Sequence, residues 1–474
     1  MKNVRKQWVL STVAALMLLT ACSSGSGDSG DSGNAGQKPA NGQNKGGTEV
    51  TADKPEPEKK VEITVWDKPD PNNQVKAVYD ELFAEFEQKY PHIKVNHEQA
   101  PKGESDRQVF VTAMAGGQGP DAYHLAHFPV IGDWINQGLA LDLTSYWNEY
   151  ADKDKFIPSS MATATVDGKI YGVPNNMYVM GLMYRKDLFQ EAGLDPAKPP
   201  VNWQEFASYA QKLSKPDKQQ YGYALLGMEW ADWFFEYYVW QAGGDLTTRN
   251  EDGTVTLNFT KEPTVAALQY YKDLKWKYEA VQTNVLQGIN DNKKDFAQGR
   301  AAMILGASDW FGGMFASGAD PEQMGFAPFP AGPAGVAPSQ TGGQYWIINP
   351  KISKEKQDAA WTYIQFRSSK EAMERLLQKQ AENGTVPNML AVRSDVDPRK
   401  FTEDVPADIV NGVIQAAENT QLEYFLKERL TPYVVKAVQK VLTDANADPK
   451  TALAEAEALA QREVVDPYNK DAKK

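Results

Sequence analysis

From Val61 onward, short runs of alternating apolar residues take turns with longer stretches whose apolar residues recur at helical spacing. Val61–Trp66 (VEITVW) predicts a strand. Val75, Val78, Tyr79, Leu82, Phe83 and Phe86 then fall on one helical face, with a stop before Pro91. His92–Glu98 alternates like a second strand, and a helix over 105–115 ends at Gly116-Gly117. Asp121–Ala126 predicts a short strand and the residues around Ile131–Asn136 a helix. Lys169–Val173 and Met180–Arg185 predict two strands flanking NNMY. Trp203–Leu213 predicts a helix, Tyr221–Gly227 a strand, Trp230–Ala242 an aromatic-rich helix and Thr264–Tyr278 an amphipathic one. Ala301–Ala307 (AAMILGA) predicts a buried strand, and Phe326–Phe329 and Tyr345–Asn349 later ones. From Lys354 the pattern is largely helical, with a break near Gly384-Thr385-Val386-Pro387. Strands alternating with helices predict a mainly parallel α/β sheet, here finished by a helical cap.

The first 60 residues follow a different pattern. Lys2, Arg5 and Lys6 precede an apolar run from Trp8 to Leu19, with no acid before Cys22. That run is short of the roughly 20 residues needed to span a bilayer and fits an export signal instead. Leu19-Thr20-Ala21-Cys22 resembles the bacterial lipobox, whose cysteine becomes lipid-modified and N-terminal. Cys22 is the chain's one cysteine, so it has no internal disulfide partner. Residues 23–60 are mostly Ser, Gly, Asp, Asn, Lys, Pro and Glu, too polar to offset the entropy of ordering. They read as a tether with a span of roughly 35 Å. A lipid anchor on a long tether predicts an outward-facing lipoprotein of a Gram-positive cell membrane.

The remaining stretch exceeds what one core usually organises, so two domains are expected. The formal net charge is −12, and removing residues 1–21 takes away three cations and no acid, leaving −15. An acidic surface argues against nucleic acid as a partner and is indifferent to a neutral ligand. The 12 Trp, 21 Tyr and 18 Phe supply rings on which sugar C–H faces stack, although most will be core. No cofactor or metal is expected. Asp121, His124 and His127 carry ligand-type side chains, but their spacing on a strand-to-loop segment does not converge on one point.

Several segments together carry a resemblance: FEQKYPHIKV (86–95), AMAGGQGPDAYHLAHF (113–128), NQGLALDLT (136–144), DGKIYGVPNNMYVMGLMYRKDLFQEAGL (167–194), NWQEFASYAQKL (202–213), WQAGGD (240–245), FAQGRAAMILGASDW (296–310), GGQYWIINP (342–350) and GTVPNML (384–390). In this order, behind a lipobox, the chain resembles the family 1 extracellular solute-binding proteins, the group of maltose-binding protein. That resemblance implies an α/β, two-lobed periplasmic-binding-protein-like fold (type II) with discontinuous lobes, a hinge and a helical C-terminal part. Carried over, it implies a signal peptide at 1–21 and a tether at 22–60. Lobe one is then 61–174 plus 311–383, lobe two 175–310 plus 384–465, and 466–474 a tail. The crossovers fall near Pro174-Asn175, Trp310 and Asn383.

Ligands of such sheets bind outside the carboxyl ends of the strands and in clefts between domains. Trp66 and Asp67 end the first strand, where a carboxylate accepts from sugar hydroxyls; a turn before Pro69 explains Asp67 equally well. The resemblance places His124, His127 and Phe128 at the cleft, whereas Asp121 holds its own loop. Asn175, Asn176 and Tyr178 sit at the expected crossover, where amides both donate and accept, or alternatively stabilise a turn. Trp230, Asp232 and Trp233 occupy a strand-to-helix junction, and Trp233 falls where the family places a stacking aromatic. Asp309-Trp310 follows AAMILGA and matches the family's aromatic at the second crossover. Gly343, Gln344 and Tyr345 precede a strand, where glycine admits close backbone approach or simply makes a tight turn. Asn383 is a further crossover candidate. The cap segment TQLEYFL (420–426) is expected to reach the cleft without naming a residue.

The function implied is a monomeric, non-enzymatic receptor that captures a carbohydrate, of more than one ring if five or six aromatics line the cleft, for an ABC importer permease. The rivals are a surface glycan-active enzyme, a receptor for a non-sugar solute, and an adhesion or signalling lipoprotein partnered with a sensor kinase. The enzyme would need two carboxylates about 5–10 Å apart, and no GxSxG, HExxH or P-loop motif occurs.

Overall fold

The computed structural model describes residues 59–69, 73, 75–99, 105–127, 130–162, 164–384 and 386–472. The export signal, Cys22, nearly all of the tether, Phe128 and the end of the tail lie outside the described residues, as does the His127 side chain.

Eight strands form the main sheet: β1 (Val61–Lys68), β2 (Ile93–Gln99), β3 (Ala122–His127), β4 (Val173–Arg185), β5 (Tyr221–Ala224), β6 (Ala301–Ala307), β7 (Met324–Ala327) and β8 (Thr341–Ile348). Their order is β2-β1-β3-β8-β4-β6-β5, with β7 also on β4. β1 is parallel to β2 and β3, and β5 to β6, but β8 runs against β3 and β4, and β6 and β7 run against β4. The sheet is therefore mixed and not mainly parallel, because the strands in its middle oppose their neighbours.

β4 is the central surprise. Sequence periodicity broke at NNMY, yet residues 173–185 form one uninterrupted strand. Its first part pairs with β8, from Val173↔Trp346 to Val179↔Thr341. Its second part pairs with β6, from Met180↔Ala307 to Tyr184↔Met303, and with β7. The ladder is made of backbone groups, so polar Asn175 and Asn176 do not interrupt it. Lys169–Ile170 instead belongs to a small hairpin with Thr165–Val166.

The two ends of the sheet have separate cores. Around β1–β3 and β8, helix α1 (Lys76–Lys89) buries Val78, Leu82 and Phe86, as its spacing predicts, against Ile63, Val65, Trp346, Tyr363 and Ile364. Fully burying a Leu- or Phe-sized side chain stabilises by roughly 1.5–3 kcal/mol, so this one stripe outweighs the weak propensity of a short helix. At the other end, β6 is buried at every position, as a strand covered on both faces must be. Helix α2 (Ala231–Gln241) is also buried at every position, and it packs in one cluster with Leu430, Val434, Val438 and Leu453 from the C-terminal helices.

Between α2 and β8 the chain forms α3 (Ile289–Ala297) and α4 (Trp310–Ala316), and after β8 it forms α5 (Lys354–Arg367), α6 (Lys370–Glu382), α7 (Ala407–Ala417), α8 (Lys427–Thr443) and α9 (Pro449–Ala460). Phe311 and Met314 of α4 pack with Met183, Ile304 and Phe326, and β7 pairs with residues 182–185. Residues 311–327 thus stay on the β6 side, and the chain passes to the β8 side near Gln340 rather than at Trp310. Val392 and Val396 pack with Met177 and Met373, and the Ile157 and Ser394 amides donate across to Val392 and Lys155 carbonyls. Val386 and Met389 already pack with the β6-side cluster of Met183 and Ile304, so the return begins just after Asn383; the chain touches the other side again at Val392 and Val396 before Val405 packs with Ile409 of α7.

Candidate functional site

Residues 176–180 of β4 lie between two other passes of the chain. On one side Asn176 and Gln344 bond reciprocally: the Gln344 amide donates to Asn176 Oδ1 at 3.0 Å and Asn176 Nδ2 to Gln344 Oε1 at 2.9 Å. The Met180 amide donates to the Gln340 carbonyl at 3.0 Å. On the other side the Ser308 amide donates to the Val179 carbonyl at 2.9 Å, and the Val179 amide to Ser308 Oγ at 3.2 Å. A Cβ on Gly342 would stand 2.2 Å from the Tyr178 hydroxyl, and one on Gly343 2.3 Å from the Asn176 carbonyl oxygen. The two glycines are needed for close approach, as expected, but what approaches is β4 itself. Asn175 sits half-buried on the same strand.

Beside this crossing lies an aromatic edge at the N-terminus of α2. Trp230 has φ +64°, a left-handed conformation that a bulky residue holds only when its surroundings impose it. Its ring stands 6.2 Å from Trp233 at 84°. Trp233 donates its indole N–H to Gln340 Oε1, which also accepts from the Tyr237 hydroxyl at 2.8 Å. Gln340 Nε2 in turn donates to Glu423 at 2.7 Å, and Glu423 pairs with Lys427 at 3.0 Å. The Lys427 ammonium lies 5.3 Å from the Trp233 ring. Burial would lower its pKa, but Glu423 and Asp232 hold it above the ordinary lysine range. Leu426, which precedes α8, is also left-handed at φ +62°. The sequence left Gln340, Glu423 and Lys427 unnamed. Their signal is faint: an acid and a base four residues apart, straddling the start of a helix.

Trp310 opens α4 directly after β6. Gly306 gives its ring room, since a Cβ there would be 3.0 Å from Trp310 Cε3. The ammonium of Lys293, on α3, stands 3.9 Å from the centre of the same ring. Lys293 sits in NDNKKD, which reads as an ordinary solvated face and offers no signal that would select it. Asp309 is solvent-accessible, yet crowding by surrounding protein still raises its carboxyl, and Lys293 partly offsets that.

Other expected residues are spent inside the protein. Asp67 is fully buried: Oδ1 pairs with His97 Nδ1 at 2.8 Å, and Oδ2 accepts from Arg367 at 2.9 Å and from the Tyr363 hydroxyl. Burial pushes its carboxyl up, but His97 and Arg367 win and hold it below the usual range. Both its oxygens are engaged, so it is not the open acceptor its strand-end position suggested. Asp232 is likewise fully buried, accepting from the Tyr424 and Thr431 hydroxyls at 2.7 Å each. Trp66 and Tyr345 lie in the core with Phe110, Tyr123 and Trp134, and the Trp66 indole N–H donates to Glu98 at 3.0 Å. His124 is half-buried, 5.3 Å from the Trp346 ring, and burial lowers its pKa to about 4, leaving it neutral. His127 pairs through its backbone opposite Gln344. Asn383 is exposed at the end of α6, ahead of left-handed Gly384. Asp121 holds its loop, accepting from the Thr64 amide at 2.8 Å and Lys356 at 2.9 Å.

The structure thus brings together Tyr178, Trp230, Trp233 and Trp310 around one apolar core beside the crossing strands, with Asn176 and Gln344 on the other side. A mixed sheet divided into two cored ends, joined by shared strands, is the architecture of the two-lobed periplasmic binding proteins. A solute-binding protein of Thermotoga lettingae bound with α-D-tagatose superposes with TM-score 0.69 at 22% identity, over 87% of this chain and 99% of that one. UgpB of Mycobacterium tuberculosis in complex with glycerophosphocholine gives 0.70 at 22%, over 85% and 98%. A putative binding protein of Brucella abortus is 28% identical over 310 residues, 64% of this chain and 71% of that protein. Residues 70–374 match the bacterial extracellular solute-binding proteins, and the chain belongs to that family. It is a solute-binding protein of ABC transporters and acts outside the cytoplasm. Members of the family bind substrates for transporters and are not enzymes. Among the described residues no helix is long and apolar enough to cross a membrane.

Proposed function

We propose that the chain captures a carbohydrate of more than one ring between its two lobes and presents it, as a monomer, to an importer permease. One lobe comprises residues 61–177 with 341–383, the other 180–340 with 405–472, and β4 and the segments near 340 and 384–404 are the hinge. Closure excludes water from the ligand. The indoles of Trp230, Trp233 and Trp310 pack on sugar C–H faces. Tyr178, Asn176, Gln344 and Asp309 pair with hydroxyls, so that polar groups stay satisfied when covered. Cys22 carries the lipid that holds the protein at the outer face of a Gram-positive cell membrane. No cofactor takes part. The observation that carries this reading is the gathering of the partly open indoles of Trp230, in a strained conformation, and Trp310 around buried Trp233, beside the strands shared by both lobes. The similar structure holding tagatose, a one-ring sugar, supports the carbohydrate part of the reading and not the number of rings.

A thermal-shift screen against a glycan panel, with amino acids, peptides and polyamines as controls, tests it. Ligand at 100 times its Kd stabilises by about 2.7 kcal/mol. A shift with one sugar class, lost in Trp310→Ala and Trp233→Ala without product formation, is the expected result; shifts with peptides or polyamines alone would overturn it. Radiolabelled palmitate incorporated by the wild type and not by Cys22→Ser checks the anchor.

A second reading, a polyol or sugar bearing an acidic group, is favoured by the position of Lys293 over the Trp310 ring.

A further inference from the structure

Lys293 differs from the other cations near the crossing. Lys427 has Glu423 at 3.0 Å. Lys293 makes no hydrogen bond or ion pair among the described residues, and its contact with Trp310, at 3.9 Å from the ring centre, is shorter than the 4.3 Å of Lys354 over Tyr146. Burial lowers its pKa below the ordinary lysine range, with Asp309 pulling partly back. This is a partly desolvated ammonium compensated by a ring face and by a carboxylate that does not close on it.

Two consequences follow from general magnitudes. A cation over an indole face gains less than a charge-assisted hydrogen bond to an anion. An anion therefore outcompetes the ring for this ammonium. The covered face of Trp310 also cannot stack a sugar while Lys293 lies on it. A neutral ligand must strip the ammonium from the ring and leave it with hydroxyls. A ligand with an acidic group takes the ammonium with it and bares the ring in the same step. The chain carries a formal charge of −12, so an anionic ligand needs a dedicated cation in the cleft.

We propose that Lys293 is the specificity residue of the cleft: it covers Trp310 in the ligand-free protein and pairs, on binding, with a carboxylate or phosphate on a saccharide or polyol. This rests on the receptor reading above. The test is titration calorimetry of the full chain with matched probes, trigalacturonate against α-1,4-galactotriose and glycerol 3-phosphate against glycerol, on wild type, Lys293→Arg and Lys293→Met. The carboxylate and phosphate arms separate the two sources of anion. In at least one pair the acid binds about tenfold or more tightly than its neutral partner. That preference persists in Lys293→Arg, disappears in Lys293→Met, and shrinks when salt rises from about 50 to about 500 mM. Unchanged melting temperatures confirm that the variants fold. Equal affinity for acid and neutral probes, or a preference that survives Lys293→Met, overturns the proposal. So does a wild type that binds other neutral sugars of the panel and none of these four, an outcome that leaves the receptor reading standing. Absence of binding by every sugar tried removes the receptor reading itself.

Discussion

Two charged clusters flank the crossing strands, and they are built on opposite plans. Around Asp67, each carboxylate oxygen already has partners in His97, Tyr363 and Arg367, and the Arg367 guanidinium is ringed by Tyr79 at 4.7 Å and Trp346 at 5.6 Å. Around Trp310, Lys293 and Asp309 lie near one another without closing a pair. Both clusters end a strand of the sheet, and both look alike as sequence: an acid beside a tryptophan, WD at 66–67 and DW at 309–310. The difference is whether the surrounding chain has already supplied the counter-groups. Where it has, the cluster holds the fold; where it has not, a ligand can supply them.

The contrast breaks most visibly at Asp67. Asp67→Ala leaves Arg367 buried without its counter-ion, which costs about 3–5 kcal/mol; urea unfolding measures it, and the folded fraction keeps its ligand affinity. Next comes Gln340→Leu, which strips an acceptor from Trp233 and Tyr237 and a donor from Glu423, for a loss of about 1–3 kcal/mol in the same assay. Trp310→Ala inverts the pattern: ligand affinity falls at least about tenfold, roughly 1.4 kcal/mol by calorimetry, with less effect on unfolding than Asp67→Ala. A separate effect is in pH. The folded-state pKa of His124 is lowered from 6.5 to about 4, so between those values the unfolded chain binds the extra proton and the native one does not. Stability from this group is therefore present above pH 6.5 and lost as the pH falls toward 4. Melting curves of His124→Asn flatten over that window relative to wild type.

Local pattern carried much of the fold. α1 buries the stripe its spacing announced, and AAMILGA is the fully buried strand its composition required. The reading failed at NNMY because alternation records which side chains are buried, and β4 passes through a region where both faces are partly open. The lobe boundary near Trp310 was misplaced for a related reason, since β7 pairs with a strand some 140 residues earlier and no local signal encodes that partner. Of the candidate site, the indoles are legible as large apolar groups at strand-to-helix junctions. Lys293, Gln340 and Lys427 are not, because each acquires its setting only from a ring or carboxylate distant in sequence. Asp67 and Asp232 look open in the sequence because it does not reveal that Arg367 and Tyr424 reach them first.

The continuity of β4 also fixes the length of the chain. Side chains of a strand alternate between faces, so one residue inserted between Asn176 and Met180 would turn every later position over. Leu182 and Tyr184, which face one core, would trade places with Met183, which faces the other. Two inserted residues would restore the faces but slide β6 and β7 along β4 relative to β8. The segment most exposed to bending is thus the one least able to gain or lose a residue, whatever solute the cleft receives.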